Sequence, residues 1–264
     1  MLRLMHADFY RFFQSKVPYV TAVIITAFSA MMIFVFQTAV STVNVSTEED
    51  PFLGIEVING AEAVAIALGS MNLIMWVVLA VGVVVSMALF DSGAIKNEIA
   101  TGMGRIQLYL SRLAVTSSLT ILFMIFFLII VVAFGVIVGG LGDWSGELVL
   151  DALQIFAAQS LFAIGFCSII TFLAFALRRV GAAICAYVGV SFVPLMLVSL
   201  LSLAWPDIAG VLAHYELASL MDLFAVHEEL LTSFEFVRGL LIGLAYIIVP
   251  SVAGVLLFRQ ADIK

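Results

Sequence analysis

Few residues in this chain have the type and spacing that chemistry requires. No glycine is followed by lysine, so the phosphate-cradling loop of an NTPase is missing, and no GxSxG, HExxH or CxxC occurs. His214 and His227 share one stretch with Glu216, Glu228 and Glu229. A metal site there is one reading, and the ordinary polarity of a solvated loop is the default. Cys167 and Cys185 both fall in apolar runs and read as packing residues, and two cysteines cannot build a disulfide framework. What remains is a small set of polar residues in apolar surroundings: Asn72, Asp151, Gln154 and Gln159. In hydrocarbon such side chains either hydrogen-bond between helices or line a path for a substrate. Asp151 lies close enough to the end of its run to be simply solvated.

The elements that would position these residues follow from the distribution of apolar residues. Of 264 residues 64% are hydrophobic and only 11% charged, against about 25% charged in a soluble domain. A net charge of −7 argues against a nucleic-acid partner. About 20 apolar residues at 1.5 Å each cross the roughly 30 Å of bilayer hydrocarbon. Six runs are that long: 17–40, 64–90, 113–140, 148–177, 180–204 and 237–258. Strands of a membrane barrel would alternate in polarity, and the unbroken stretch ILFMIFFLIIVVAF over 121–134 excludes that. The fold class expected is all-α, a polytopic membrane protein with six transmembrane helices. The first run is longer than a signal-peptide core and is followed by no clear cleavage site, so it reads as a retained span. Pro18 is tolerated in a first helical turn, and Pro194 is expected to kink the fifth span. Gly135-x3-Gly139 and Gly239-x3-Gly243 would allow close helix contact.

Lys and Arg set the orientation. Ten of the eleven basic residues fall on one side of the six spans: Arg3, Arg11 and Lys16; Lys96, Arg105 and Arg112; Arg178 and Arg179; Arg259 and Lys264. Only Arg238 falls on the other. The acids reverse this, with Asp8, Asp91, Glu98 and Asp262 on the basic side and fourteen opposite. Both termini are therefore expected in the cytoplasm.

Four longer segments lie outside the runs. Residues 1–16 read as an amphipathic helix in the membrane surface, with Leu2, Met5, Phe9, Phe12 and Phe13 on one face and Arg3, Arg11 and Gln14 on the other. The 91–112 segment is a cytoplasmic loop whose helix-forming stretch is broken by Gly102 and Gly104. Beyond the break Arg105, Tyr109 and Arg112 recur on one helical face. Such a segment suits docking to a soluble partner, or serves only as a charged connector. The outer loop 41–63 holds five acids and no base, and the outer loop 205–236 is apolar enough to form one or two short helices that cap the bundle.

This layout resembles the type-2 ATP-binding-cassette (ABC) exporter permeases. The resemblance is carried by IKNEIATGMGRIQLYLSRLAV (95–115), where Glu98, Gly102, Arg105, Tyr109 and Arg112 match the family's spacing. The opening LMHADFYRFFQSKVPYV (4–20) is similar to small permeases linked to bacteriocin and peptide-antibiotic export or self-protection. The resemblance implies a transport subunit of a bacterial cytoplasmic membrane, paired with a second permease, alike or related. Each permease docks a separate cytoplasmic ATPase that binds the ATP and Mg, so no cofactor is expected in this chain. Glu98, Gly102, Arg105 and Tyr109 would couple to that ATPase, with Arg178 and Arg179 as a minor contact. The 205–236 loop would be the outer lid, and Asn72, Gln154 and Gln159 would lie along the path of an amphipathic substrate. A secondary transporter built of inverted repeats, and an intramembrane enzyme or assembly factor, are the competing classes. The first lacks visible similarity between its halves, and the second lacks a polar cluster.

Overall fold

The computed structural model describes residues 2–46, 57–87, 90, 104–226 and 234–260, and among these every regular element is helical. Among the described residues five helices are long and apolar enough to cross a membrane, and two further pairs of shorter helices pass the same test only when each bent pair is joined. The protein is accordingly a multi-pass membrane protein in its architecture.

The amphipathic segment forms α1 (Leu2–Gln14) and the first apolar run forms α2 (Val17–Ser46), which continues past the expected span end at residue 40. The second run departs most from expectation. It is not one helix over 64–90. Asn59 caps α3 (Gly60–Gly69) with its side chain on the Glu62 amide, while Glu62 returns the bond to the Asn59 amide. The helix breaks at Ser70, resumes as a 3-10 turn (Met71–Leu73) and α4 (Ile74–Gly82), and ends in a π-helical turn (Val83–Met87). The two halves meet at 51°. The cause lies in Gly69, Ser70 and Asn72, whose flexible backbone or backbone-competing side chains interrupt the helix inside an apolar run.

The third span is α5 (Arg105–Gly139). It begins eight residues before the expected boundary, so residues 105–112 are its first two turns and not part of a loop. Gly140 and Gly142, at φ 78° and 71°, end it. Ser145 caps α6 (Gly146–Leu177) by accepting from the Leu148 amide. α7 (Val180–Ala204) contains Pro194, and α10 (Phe234–Gln260) contains Pro250. Between them lie α8 (Pro206–Ala213), opened by proline at its first position, and α9 (Leu217–Val226), crossing at 91°. Neither is long enough to cross a membrane by itself.

α6 is the centre of the bundle. It packs along α10 and touches α4, α5, α7 and α9. α5 carries α2, α3 and α1 on its other faces. Both small-residue patterns mark close approach. A Cβ on Gly135 would stand 2.5 Å from the Ala63 Cβ, and one on Gly139 would overlap the Ile58 carbonyl. Gly243 lies under Leu161 and Phe162, and Gly239 under Phe224.

Candidate functional site

At the end of the bundle where the basic residues gather, Arg105, Tyr109 and Arg112 lie at spacings of 4 and 3 and share one face of α5, as the sequence indicates. That face points into the protein. The Arg105 guanidinium donates to the carbonyls of Phe258 (3.3 Å) and Arg259 (3.0 Å), the last turn of α10, where a cation satisfies orphan carbonyls and complements the helix dipole. Tyr109 is fully buried. Its ring packs edge-on against Phe175 at 5.1 Å and over Gly254, and its hydroxyl donates to the Pro250 carbonyl at 3.4 Å. Tyr109 is thus a packing residue at the junction of α5, α6 and α10, and not part of a surface that a soluble partner could reach.

Arg112 is buried as well, and ion-paired to Asp8 of α1, with 1% and 5% of the two side chains exposed. Asp8 occupies the same face of α1 as Leu4 and Phe12, both buried, while Phe13 is exposed. The side of α1 turned to the protein is therefore Leu4–Asp8–Phe12, flanked by Met5 and Phe9, and differs from the purely apolar face read from sequence. Glu98 and Gly102 lie outside the described residues. Arg178 and Arg179 form the exposed turn between α6 and α7, with Arg178 in the left-handed region at φ 53°.

The polar residues of the spans part company. Gln154 lies on the exposed surface of α6. Gln159, one and a half turns on, is fully buried, and its amide nitrogen donates to the carbonyls of Leu68 (2.9 Å) and Met221 (3.2 Å). The break at Ser70 explains the need. It takes the continuing helix away from the Leu68 carbonyl, and Gln159 adds a side-chain donor there beside the Ser70 amide while also holding α9. Asn72, just past the break, donates to the Asp222 carboxylate of α9 at 3.2 Å. Glu216 caps α9 through the amides of Ala218 (3.0 Å) and Ser219 (2.5 Å). Asp8, Glu216 and Asp222 all serve polar contacts that the sequence does not single out, because each partner is distant in the chain or is a backbone group.

Membrane hydrogen bonds average about 0.6 kcal/mol and reach about 1.7. Gln159→Leu removes two at a helix break, so it should lower stability by about 1–3 kcal/mol. Gln154→Leu, on an exposed face, should stay within about 0.5 kcal/mol of the parent. Unfolding of the purified variants in detergent reads both.

Apolar cavities adjoin the spans among the described residues, and two of them lie where a helix is broken or holds a proline. One, of about 360 Å³, lies at the break between α2, α4 and α5, against Phe28, Met71, Trp76 and Phe127. The other, of about 450 Å³, lies between α6, α7 and α10, against Phe172, Val190, Tyr246 and Pro250. Neither is lined by Asn72, Gln154 or Gln159. Among the described residues no group of three or more His, Cys, Asp or Glu could hold a metal ion. His214 sits with Nδ1 2.7 Å from the Gly210 carbonyl, and His227 lies outside the described residues. Cys167 is buried and its thiol donates to Thr120 at 3.3 Å, whereas Cys185 is exposed. No protein-family model matches the sequence, and a search of curated proteins returns no match.

Proposed function

We propose that this chain is the membrane-spanning permease subunit of an ABC exporter, with both termini in the cytoplasm, six spans, and a separate ATPase as its motor. The bent pair α3–α4 counts as one span in this reading, and the α8–α9 pair as an outer lid. The observation that carries the reading is that ten of eleven basic residues fall on one side of the six expected spans in the sequence, joined to the Glu98–Gly102–Arg105 spacing. The apolar cavities support an amphipathic or lipid-like cargo, peptide antibiotics included. A second copy or a related permease would complete the pathway.

In this mechanism the 91–104 segment and the exposed Arg178–Arg179 turn face the ATPase. The inward face of α5 passes the motion on: Arg105 holds the end of α10, Tyr109 wedges α5, α6 and α10 together, and Arg112 holds α1. A push on the coupling segment would therefore move α1, α6 and α10 together with α5.

The test is association with the ATPase and coupled hydrolysis in the reconstituted complex. Glu98→Ala and the pair Arg178→Ala with Arg179→Ala should leave membrane insertion unchanged; the exposed Arg178 and Arg179 contribute only about 0–1 kcal/mol of stability. They should weaken ATPase pull-down or uncouple hydrolysis from transport, with Gln107→Ala as the control. Parent-like association and coupling in all of them would reduce the segment to a charged connector. Labelling of single cysteines at Ser46, Ser145 and Ser233 from outside, but not at Ser92, checks the orientation.

A further inference from the structure

α9 docks over the break in the second span with Leu217, Leu220, Met221 and Phe224 buried. Its side-chain hydrogen bonds to the spans there run from Gln159 to the Met221 carbonyl and from Asn72 to one oxygen of Asp222. The other Asp222 oxygen, Oδ1, is shielded from solvent and has no hydrogen-bond partner among the described residues, and the same holds for Gln159 Oε1. The junction thus holds two shielded acceptors that lack a donor. An ionised carboxylate in that position leaves an uncompensated charge-bearing oxygen, whereas a protonated one is itself a donor.

We propose that Asp222 is a proton-binding site, drawing its proton from the water at the acidic end of the bundle, and that the bound proton holds α9 docked. Burial pushes the Asp222 carboxyl upward, and the nearby Glu216 charge adds to this, while the Asn72 hydrogen bond pulls the other way. Among the elements packed against α9, α3 carries Glu62, which is exposed and engaged with the Asn59 amide. α6 carries Glu147 and Asp151 in its first two turns. α10 carries Arg238 and Tyr246, the latter with its hydroxyl donating to the Tyr215 carbonyl at 3.0 Å. α7 carries Tyr187, whose hydroxyl donates to the Met75 carbonyl, and the exposed Cys185. The 3-10 turn carries no titratable group.

The direction of the effect follows from linkage. Undocking returns Asp222 to water and to the ordinary carboxylate range, so the docked state binds the proton more tightly. The contribution to docking is fully present below the ordinary range and is lost as pH rises through the raised docked value. Between those limits the docking constant falls about tenfold per pH unit. The inference stands on the α9 contacts and is independent of the transport reading.

The experiment uses the full chain in lipid nanodiscs with Cys185→Ala and spin labels at Ala65→Cys on α3 and Ala225→Cys on α9. Pulsed EPR distances are recorded from about pH 5 to pH 8. The expected result is one short distance at the acid limit and a longer population that grows as pH rises. Asp222→Asn, neutral and equipped with a donor, should keep the short distance throughout, and Glu216→Gln should move the transition to lower pH. A parent distribution that does not change with pH, or an Asp222→Asn variant that keeps the parent's response, overturns the proposal.

Discussion

Arg112→Ala should destabilise the protein by about 3–5 kcal/mol, because it leaves the Asp8 carboxylate buried without its cation. Asp8→Ala should cost a similar amount for the converse reason. The informative variant is the double one. Replacing both partners with apolar residues of similar size, Asp8→Leu with Arg112→Met, removes two buried charges together. It should return stability to near the parent or above it, since burying a pair of ions costs about as much as their attraction returns. Reversible unfolding in detergent across the cycle gives the coupling energy. An Arg112→Ala loss below about 1 kcal/mol would match an exposed pair and would mean that α1 does not seat against α5 as described.

The second large effect is expected at Gly139. The backbones of α3 and α5 meet there, with the Gly60 amide donating to the Gly140 carbonyl at 2.9 Å. A methyl on Gly139 meets the Ile58 main chain, which cannot swing aside as a side chain can. Gly139→Ala should therefore cost about 1–3 kcal/mol, at the upper end of that range. Gly189 in α7 has open space around it, and Gly189→Ala should instead stabilise by about 0.5–1 kcal/mol through helix propensity. Thermal denaturation of the two variants side by side checks the contrast. Equal and small effects would show that α3 and α5 do not approach this closely.

The cores of the long helices were legible in the sequence because a bilayer demands a simple thing, a run of apolar residues of fixed length. The Gly135–Gly139 spacing was legible for a similar reason, since small residues one turn apart have few other uses. The ends of helices were less so. Arg105 to Arg112 looked like loop because charge suggested water. Yet Arg105 finds carbonyls on α10 and Arg112 finds Asp8, partners far away in the chain that no local pattern reveals. The break at Ser70 was hidden because hydropathy averages across Gly69, Ser70 and Asn72. Without the break, the role of Gln159 in bonding Leu68 could not be distinguished from lining a path. Tyr109 illustrates the limit for the candidate site: its spacing from Arg105 indicated a shared face, and spacing alone does not say which way a face points.

The Asp8–Arg112 pair also orders events during synthesis. The two residues stand about a hundred positions apart, and ribosomes add about 5–20 residues per second. For about 5–20 seconds after Asp8 emerges, its cation does not yet exist. The carboxylate must spend that interval in water, so the first helix lies at the lipid surface while α2, α3 and α4 are made. It can turn its Leu4–Asp8–Phe12 side inward only after the start of the third span has been delivered. A segment made before all the spans it packs on is thus among the later ones to settle, and a nascent chain stalled before residue 112 should leave it accessible to protease.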